Sequence, residues 1–203
     1  MTDTHSHGPY SQGLDRRPAN FQPLSPLGAL ARSAVVYPER TAIIHGTQRL
    51  SYAEFYARAR RLASALARIG IVKGDTVSAL LLNTPPMLEA HYGVPMAGAV
   101  LNAINTRLDA AGIAFILGHG EARVVLVDSE LLPLLNEALA AMTGPKPQVI
   151  EYADPTVTET PSGAHTEYEA FLASGDPAYP WSPPEDEWDA IALNYTSGTT
   201  GNP

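Results

Sequence analysis

"DTVSALLLNTPPMLEAHYGVPMAGAVLNAIN", residues 75–105, decides the fold. It begins with a short apolar run, "VSALLL", and ends with another, "VLNAIN"; both read as strands. Between them "TPPMLEAHYGVPMAGAV" opens on prolines, which suit the first turn of a helix and cannot sit inside a central strand. The spacing predicts a helix interrupted or kinked near Gly93 and Pro95. Two strands joined through a helix pair in parallel, because a tight turn cannot connect parallel neighbours.

The alternation continues on both sides. "TRLDAAGIAFILGHG" predicts a helix capped near Asp109 and stopped near Gly118 or Gly120, and "ARVVLVDSE" a β-branched strand. "LLPLLNEALAAM" then predicts a helix and "PQVIEY" a strand. The expected class is α/β, with a mostly parallel sheet and crossover helices. Upstream, "TAIIHGTQRLSY" predicts a β-hairpin around Gly46 and Thr47, with Ile43 and Ile44 before the turn and Leu50 after it. Ser51 and Glu54 form a capping box, so a helix begins there and stops at Gly70. Phe55, Ala59, Leu62, Leu66 and Ile69 share its apolar face; Arg58, Arg61 and Arg68 lie largely elsewhere and read as a solvated face.

Composition narrows the function. The 203 residues are 45% apolar, enough for a real core. Thirteen Lys and Arg against 21 Asp and Glu leave a net charge of -8, which opposes an extended grip on nucleic acid or an anionic membrane. There is no cysteine, so disulfides, thiolate metal sites and a cysteine nucleophile are excluded within the chain. The longest apolar runs fall short of the ~20 residues a membrane helix needs. The opening residues lack a basic stretch followed by an apolar run, so no secretory signal is expected, and the predicted location is cytoplasmic. His5 and His7 read as part of a polar tail rather than a metal pair, with no third ligand in sight, and no metal site is expected. His91 reads as a packed or partly exposed histidine rather than a catalytic one.

Residues 1–34 read as a polar leader and 35–203 as one folded unit. Within it, 153–184 is a connecting segment rich in Pro, Gly, Ser and Thr, relieved by the helical patch "TEYEAFLASG". The run Ala190 to Leu193 then reads as a buried strand feeding "NYTSGTTGNP", residues 194–203. Thr196, Ser197, Thr199 and Thr200 bring hydroxyl donors, while Gly198 and Gly201 let a bulky anion approach the backbone amides. Successive inward amides form an anion nest, and each bond to a charged acceptor contributes roughly 1.5–3 kcal/mol, so a phosphate chain can be held without net positive charge. The spacing is not that of a Walker loop, and a Gly/Ser/Thr run alone would equally suit a polar turn.

The complete string "YTSGTTGNP" resembles the phosphate-loop signature of the adenylate-forming synthetases, which usually continues with a Lys after the Pro. "AIIHGTQRLSYAEFYARARRLASALARIGIVKGDTVSALLLN" is similar to that family's opening hairpin, long helix and first core strand. "MLEAHYGVPMAGAVLNAINTRLDAAGIAFILGHGEARVVLVDSE" is similar to its acyl-CoA synthetase branch, particularly the short- and medium-chain members and their methylmercaptopropionate-CoA ligase relatives. The resemblance makes 35–203 the N-terminal portion of an AMP-binding domain. It implies attack of a carboxylate on the α-phosphorus of ATP, giving an acyl-adenylate and pyrophosphate, then displacement of AMP by the thiol of coenzyme A. Thr196, Ser197, Gly198, Thr199, Thr200 and Gly201 would close on the β- and γ-phosphates, with Mg²⁺ neutralising charge as pyrophosphate leaves.

The family's magnesium-binding Glu, ribose-binding Asp, hinge and C-terminal lid are not in these residues. The expectation is therefore a front portion of a longer enzyme, inactive alone, with no catalytic residue assigned within it. The acid pocket is built downstream in this family, so acyl-chain preference is not readable here, and the resemblance permits a homodimer. Two alternatives stand beside the ligase: a structural or binding fragment with a vestigial loop, and an adenylating enzyme that loads a carrier-protein thiol.

Overall fold

The computed structural model describes residues 13, 15–17, 19–157 and 160–196. In chain order, α1 (Leu27–Val36) leads to an antiparallel hairpin of β1 (Thr41–His45) and β2 (Gln48–Ser51), and then to α2 (Tyr52–Arg68). Next come β3 (Thr76–Leu80), α3 (Pro85–Met96), β4 (Val100–Ala103), α4 (Ala110–His119) and β5 (Ala122–Asp128). A 3₁₀ turn at Ser129–Leu131 precedes α5 (Leu132–Ala141), β6 (Gln148–Tyr152), β7 (Thr166–Glu167), α6 (Tyr168–Ala173) and β8 (Ala192–Leu193). Six strands make one sheet in the order β7-β6-β5-β3-β4-β8, and every neighbouring pair is parallel. The expected α/β class and crossover architecture are present.

The strand period of two divides the core. Val124 and Leu126 of β5 join Val77, Ala79 and Leu101 against α2, α3 and α6, while Val125 and Val127 join Leu80 against α4 and α5. From β3 the chain steps one way to β4, then back past β3 to β5. A constant crossover hand sends the helices of opposite steps to opposite faces, and α3 and α4 lie accordingly. The hairpin and α1 close a third cluster, in which Leu27 and Leu30 meet Ile43, Leu50 and Phe55.

Local chemistry explains the element boundaries. Ser51 Oγ accepts from the Glu54 amide at 3.2 Å and Glu54 Oε2 accepts from the Ser51 amide at 2.7 Å, as the capping box requires. At the other end of α2 the Ile71 amide closes on the Leu66 carbonyl and the Gly70 amide on Ala67, a Schellman stop. Asp109 caps α4 through the Gly112 amide at 2.8 Å. α3 is not interrupted: Pro95 falls in its last turn, where only one upstream carbonyl loses its partner. Gly93 serves packing instead, since a Cβ there would stand 2.8 Å from the Ala59 carbonyl oxygen and from Leu62 Cβ.

Four further expectations need correction. α1 spans the 34/35 boundary, so the leader contributes Leu27 and Leu30 to the core. Ile69 is 37% exposed rather than on the buried face of α2, because it is already the C-cap where the chain turns away. The strand expected at 190–193 is a two-residue edge strand with Ala192 exposed, because β4 alone pairs with it among the described residues.

The fourth correction concerns the arginines of α2, which hold the connecting segment: Arg58 and Arg61 are half-buried against it, and Arg68, exposed as expected, also bonds to it. Arg58 Nε donates to Glu89 Oε1 of α3 at 2.5 Å, and its Nη1 and Nη2 donate to Glu169 of α6 at 2.9 and 2.6 Å. Arg61 and Arg68 donate to the Gly175 and Ser174 carbonyls at 2.9 and 2.6 Å, just past the end of α6, and Arg60 donates to the Tyr179 carbonyl at 3.0 Å. Gly175 sits so close that a Cβ there would fall 2.0 Å from the Arg61 carbonyl oxygen. Burial works against the charge of Arg58, but its hydrogen bonds to Glu169 and Glu89 outweigh that and move its pKa up. Burial pushes the Glu89 carboxyl up, opposed by Arg58 and by the Tyr168 hydroxyl donating at 2.6 Å.

Arg58→Ala strands Glu89 in the core and is expected to lower stability by about 3–5 kcal/mol, with Arg58→Lys recovering only part of it. Gly175→Ala should loosen the connector from α2 and raise its hydrogen exchange selectively. Urea unfolding and exchange rates over 168–181 check both; unchanged values would mean that the arginines do not hold this segment.

Candidate functional site

β8 delivers the chain to the carboxyl ends of the parallel strands, the edge at which ligands bind in open α/β sheets. Two residues of ladder are a weak hold, and side chains supplement it. Asn102 of β4 is buried and donates from Nδ2 to the Leu193 carbonyl at 2.9 Å, while Ser78 Oγ of β3 lies 3.2 Å from Asn102 Oδ1. Three adjacent strands are thereby linked by polar side chains inside the sheet.

Past Leu193 the chain is held from the α4 face. The Tyr195 hydroxyl lies 2.7 Å from His119 Nδ1, in the last turn of α4. The two rings meet edge to face at 5.7 Å, and Phe115 stacks on His119 at 5.3 Å with an interplanar angle of 19°. Burial raises the Tyr195 pKa, so its hydroxyl keeps its proton. Thr196 follows, exposed, and lines a cleft of about 190 Å³ with Ala103, Asn105, Phe115 and Tyr195.

Of the predicted grip, Thr196 is thus placed beyond β8, whereas Ser197, Gly198, Thr199, Thr200 and Gly201 lie outside the described residues, as do His5 and His7. A larger cleft of about 520 Å³, between Lys73, Pro95 to Val100 and Tyr179 to Ile191, opens at the opposite end of the strands. His91 is exposed on α3 and donates from Nδ1 to the Met87 carbonyl at 2.8 Å. Sequence reading assigned no role to Asn102, within a predicted strand, to His119, at the end of a predicted helix, or to Tyr195, the first residue of the quoted signature.

A second polar cluster sits at the ends of β5 and β6. Asp154 is buried; burial raises its pKa, but hydrogen bonds from His45 Nε2 at 2.8 Å and from the Thr156 amide and hydroxyl outweigh this and bring it below its ordinary 3.8. Glu151 behaves alike, its burial outweighed by the Ser129 and Ser162 hydroxyls. Asp128 differs: burial pushes it up, and its Oδ2 is the one buried side-chain polar atom without a partner among the described residues. Among those residues no three acidic or histidine side chains converge as a metal cage, and no helix is long and apolar enough to cross a membrane.

Residues 30–203 match the family described as AMP-binding enzyme. The chain belongs to the AMP-binding enzyme family. It is 46% identical over 201 residues to the peroxisomal acetate/butyrate–CoA ligase of Arabidopsis thaliana, covering 94% of this chain and 35% of that protein. An acetate–CoA ligase of Humulus lupulus is 45% identical over 202 residues, with the same shares. The chain therefore spans about a third of the length of these curated relatives.

Among solved structures, a Mycobacterium tuberculosis fatty acyl CoA synthetase superimposes with a TM-score of 0.69 at 28% identity, over 85% of this chain and 32% of that one. The anthranilate CoA ligase AuaEII in complex with anthranoyl-AMP gives a TM-score of 0.78 over 87% of this chain and 33% of that one, and at 23% identity it speaks for the fold alone. The two agree with the AMP-binding fold built above from strand order and packing.

Asp154 contributes stability that is present above its unfolded pKa near 3.8 and lost as pH falls through its lower folded value. Asp154→Asn should therefore destabilise the protein at neutral pH, with the gap to wild type closing below about pH 4. Unfolding curves across that range check it.

Proposed function

We propose that the complete protein is an ATP-dependent acid–thiol ligase that joins a short-chain carboxylic acid to coenzyme A. The observation that carries this is the 40–46% identity, across 94–95% of the chain, to relatives named for acetate, butyrate and 2-methylpropanoate. The signature at 195–203 agrees, and so does the position of its first residues at the carboxyl edge of the sheet.

The carboxylate oxygen attacks the α-phosphorus of ATP and pyrophosphate leaves; the coenzyme A thiol then adds to the acyl carbonyl and AMP leaves as the thioester forms. Thr196 to Gly201 hold the β- and γ-phosphates through hydroxyls and amides. This places the leaving group and stabilises its charge without a protein nucleophile. The described residues offer no ligand set for Mg²⁺, so magnesium enters this proposal only as a companion of the triphosphate. Cytoplasmic residence belongs to the proposal too, against the peroxisomal location in the name of one of the relatives above.

A panel of acids from acetate to decanoate, scored for AMP formation by the complete protein, tests the activity. Turnover is expected to be fastest with the shortest acids and to require coenzyme A; AMP release with no acid would overturn the reading, and transfer to a carrier-protein thiol instead would replace the acceptor. Gly198→Val should abolish pyrophosphate release by closing the backbone to phosphate, and Thr199→Ala should slow it by about 10-fold. Wild-type rates in both would remove the phosphate grip.

A further inference from the structure

The residue before the grip is fastened to a different layer of the molecule from the strand that carries it. β8 touches the sheet through two ladder positions, Leu101 with Ala192 and Asn102 with Leu193. These fix where the strand lies; they do not fix the direction in which the chain leaves it. Tyr195, two residues past the last ladder position, supplies the missing constraint from α4. Its hydroxyl bond to His119 Nδ1 is short at 2.7 Å, and its ring meets both His119 and Phe115 edge to face, at 5.7 and 6.4 Å. His119 is itself held, because Phe115 stacks on it one helical turn earlier. Apolar packing alone would be served by phenylalanine; a hydrogen bond at the ring's far end is directional and selects one orientation of the backbone at 195.

We infer that His119 and Tyr195 are positioning residues that set the direction in which the phosphate loop leaves the sheet, and so tune affinity for the triphosphate of ATP. Neither touches the nucleotide; they act through Thr196 and the residues after it. The inference rests on the ligase reading and deepens it. A grip made of neutral donors depends on their geometry being fixed before the ligand arrives, so a displaced root weakens several hydrogen bonds together. The effect falls on ATP and leaves the acid alone.

The test measures acid-dependent pyrophosphate release by the complete enzyme, varying ATP and acid separately, together with thermal unfolding of each variant. Tyr195→Phe keeps the ring and loses the hydroxyl; His119→Phe keeps the stack on Phe115 and loses the acceptor. Each is expected to raise KM for ATP by roughly 3- to 10-fold, the worth of one hydrogen bond, with KM for the acid and the unfolding temperature unchanged. His119→Asn places an oxygen at the same distance from the backbone as Nδ1 and is expected to restore KM for ATP. His91→Ala, on the exposed side of α3, serves as the control with wild-type constants.

Wild-type KM for ATP in both phenylalanine variants, alongside abolished activity in Gly198→Val, would overturn this positioning role and leave the grip standing. A raised KM that follows a lowered unfolding temperature and is not restored by asparagine would overturn it as well, reducing the pair to packing. Retained activity in Gly198→Val would remove the grip itself, and the inference with it.

Discussion

Between β7 and β8 the chain crosses the whole width of the sheet, and the guanidinium groups of α2 hold that crossing in place. β7 and β8 occupy opposite edges of the six-stranded order. The segment between them runs over the α2 and α3 face with one short helix of its own, so its backbone carbonyls need donors from outside. Arg60, Arg61 and Arg68 supply them, and Arg58 ties α6 to α3 through carboxylates on both. Trp181 adds an anchor further along, donating to the Tyr56 hydroxyl at 2.8 Å. The position of β8 follows from how this crossing is held.

Such a network is costly to bury and specific once buried. Glu89 is fully buried, and its two oxygens receive Arg58 Nε, Arg58 Nη2 and the Tyr168 hydroxyl. An apolar cluster of equal volume would serve stability as well or better, since paired charges recover little more than their desolvation. It would not distinguish one register of α6 on α2 from the next. Three directional donors and a glycine with no room for a Cβ do, and that register decides where the connector ends.

What was legible in the sequence is what depends on near neighbours. The capping box of α2 spans three residues, the hairpin turns on Gly46, and the strand–helix alternation needs only local periodicity; each appears in the structure where it was read. The partners of the arginine row were not legible because periodicity tells which residues share a face and not what lies on that face: Arg58 reaches Glu169, Arg61 Gly175 and Arg68 Ser174, which are 111, 114 and 106 residues away. The apolar run at 190–193 has the composition of a central strand, but burial depends on neighbours, and among the described residues it has one. The family was legible from the signature at 195–203, while the bond from Tyr195 to His119, 76 residues upstream, was not.

An acidic chain that handles a polyanion has to confine its attraction to short range. Under the proposed ligase reading, these residues, with a net charge of -8, give a triphosphate no long-range attraction, so the grip they form would depend on donors at short range. Hydroxyls and amides meet that need only when their directions are set in advance, because a neutral donor turned away contributes nothing and a flexible one loses entropy on binding. The anchors at 193 and 195 come from separate elements: Asn102 from β4 and His119 from α4. Together they constrain the chain at the point where the proposed neutral grip begins, the condition such a grip would require and a lysine-rich one would not.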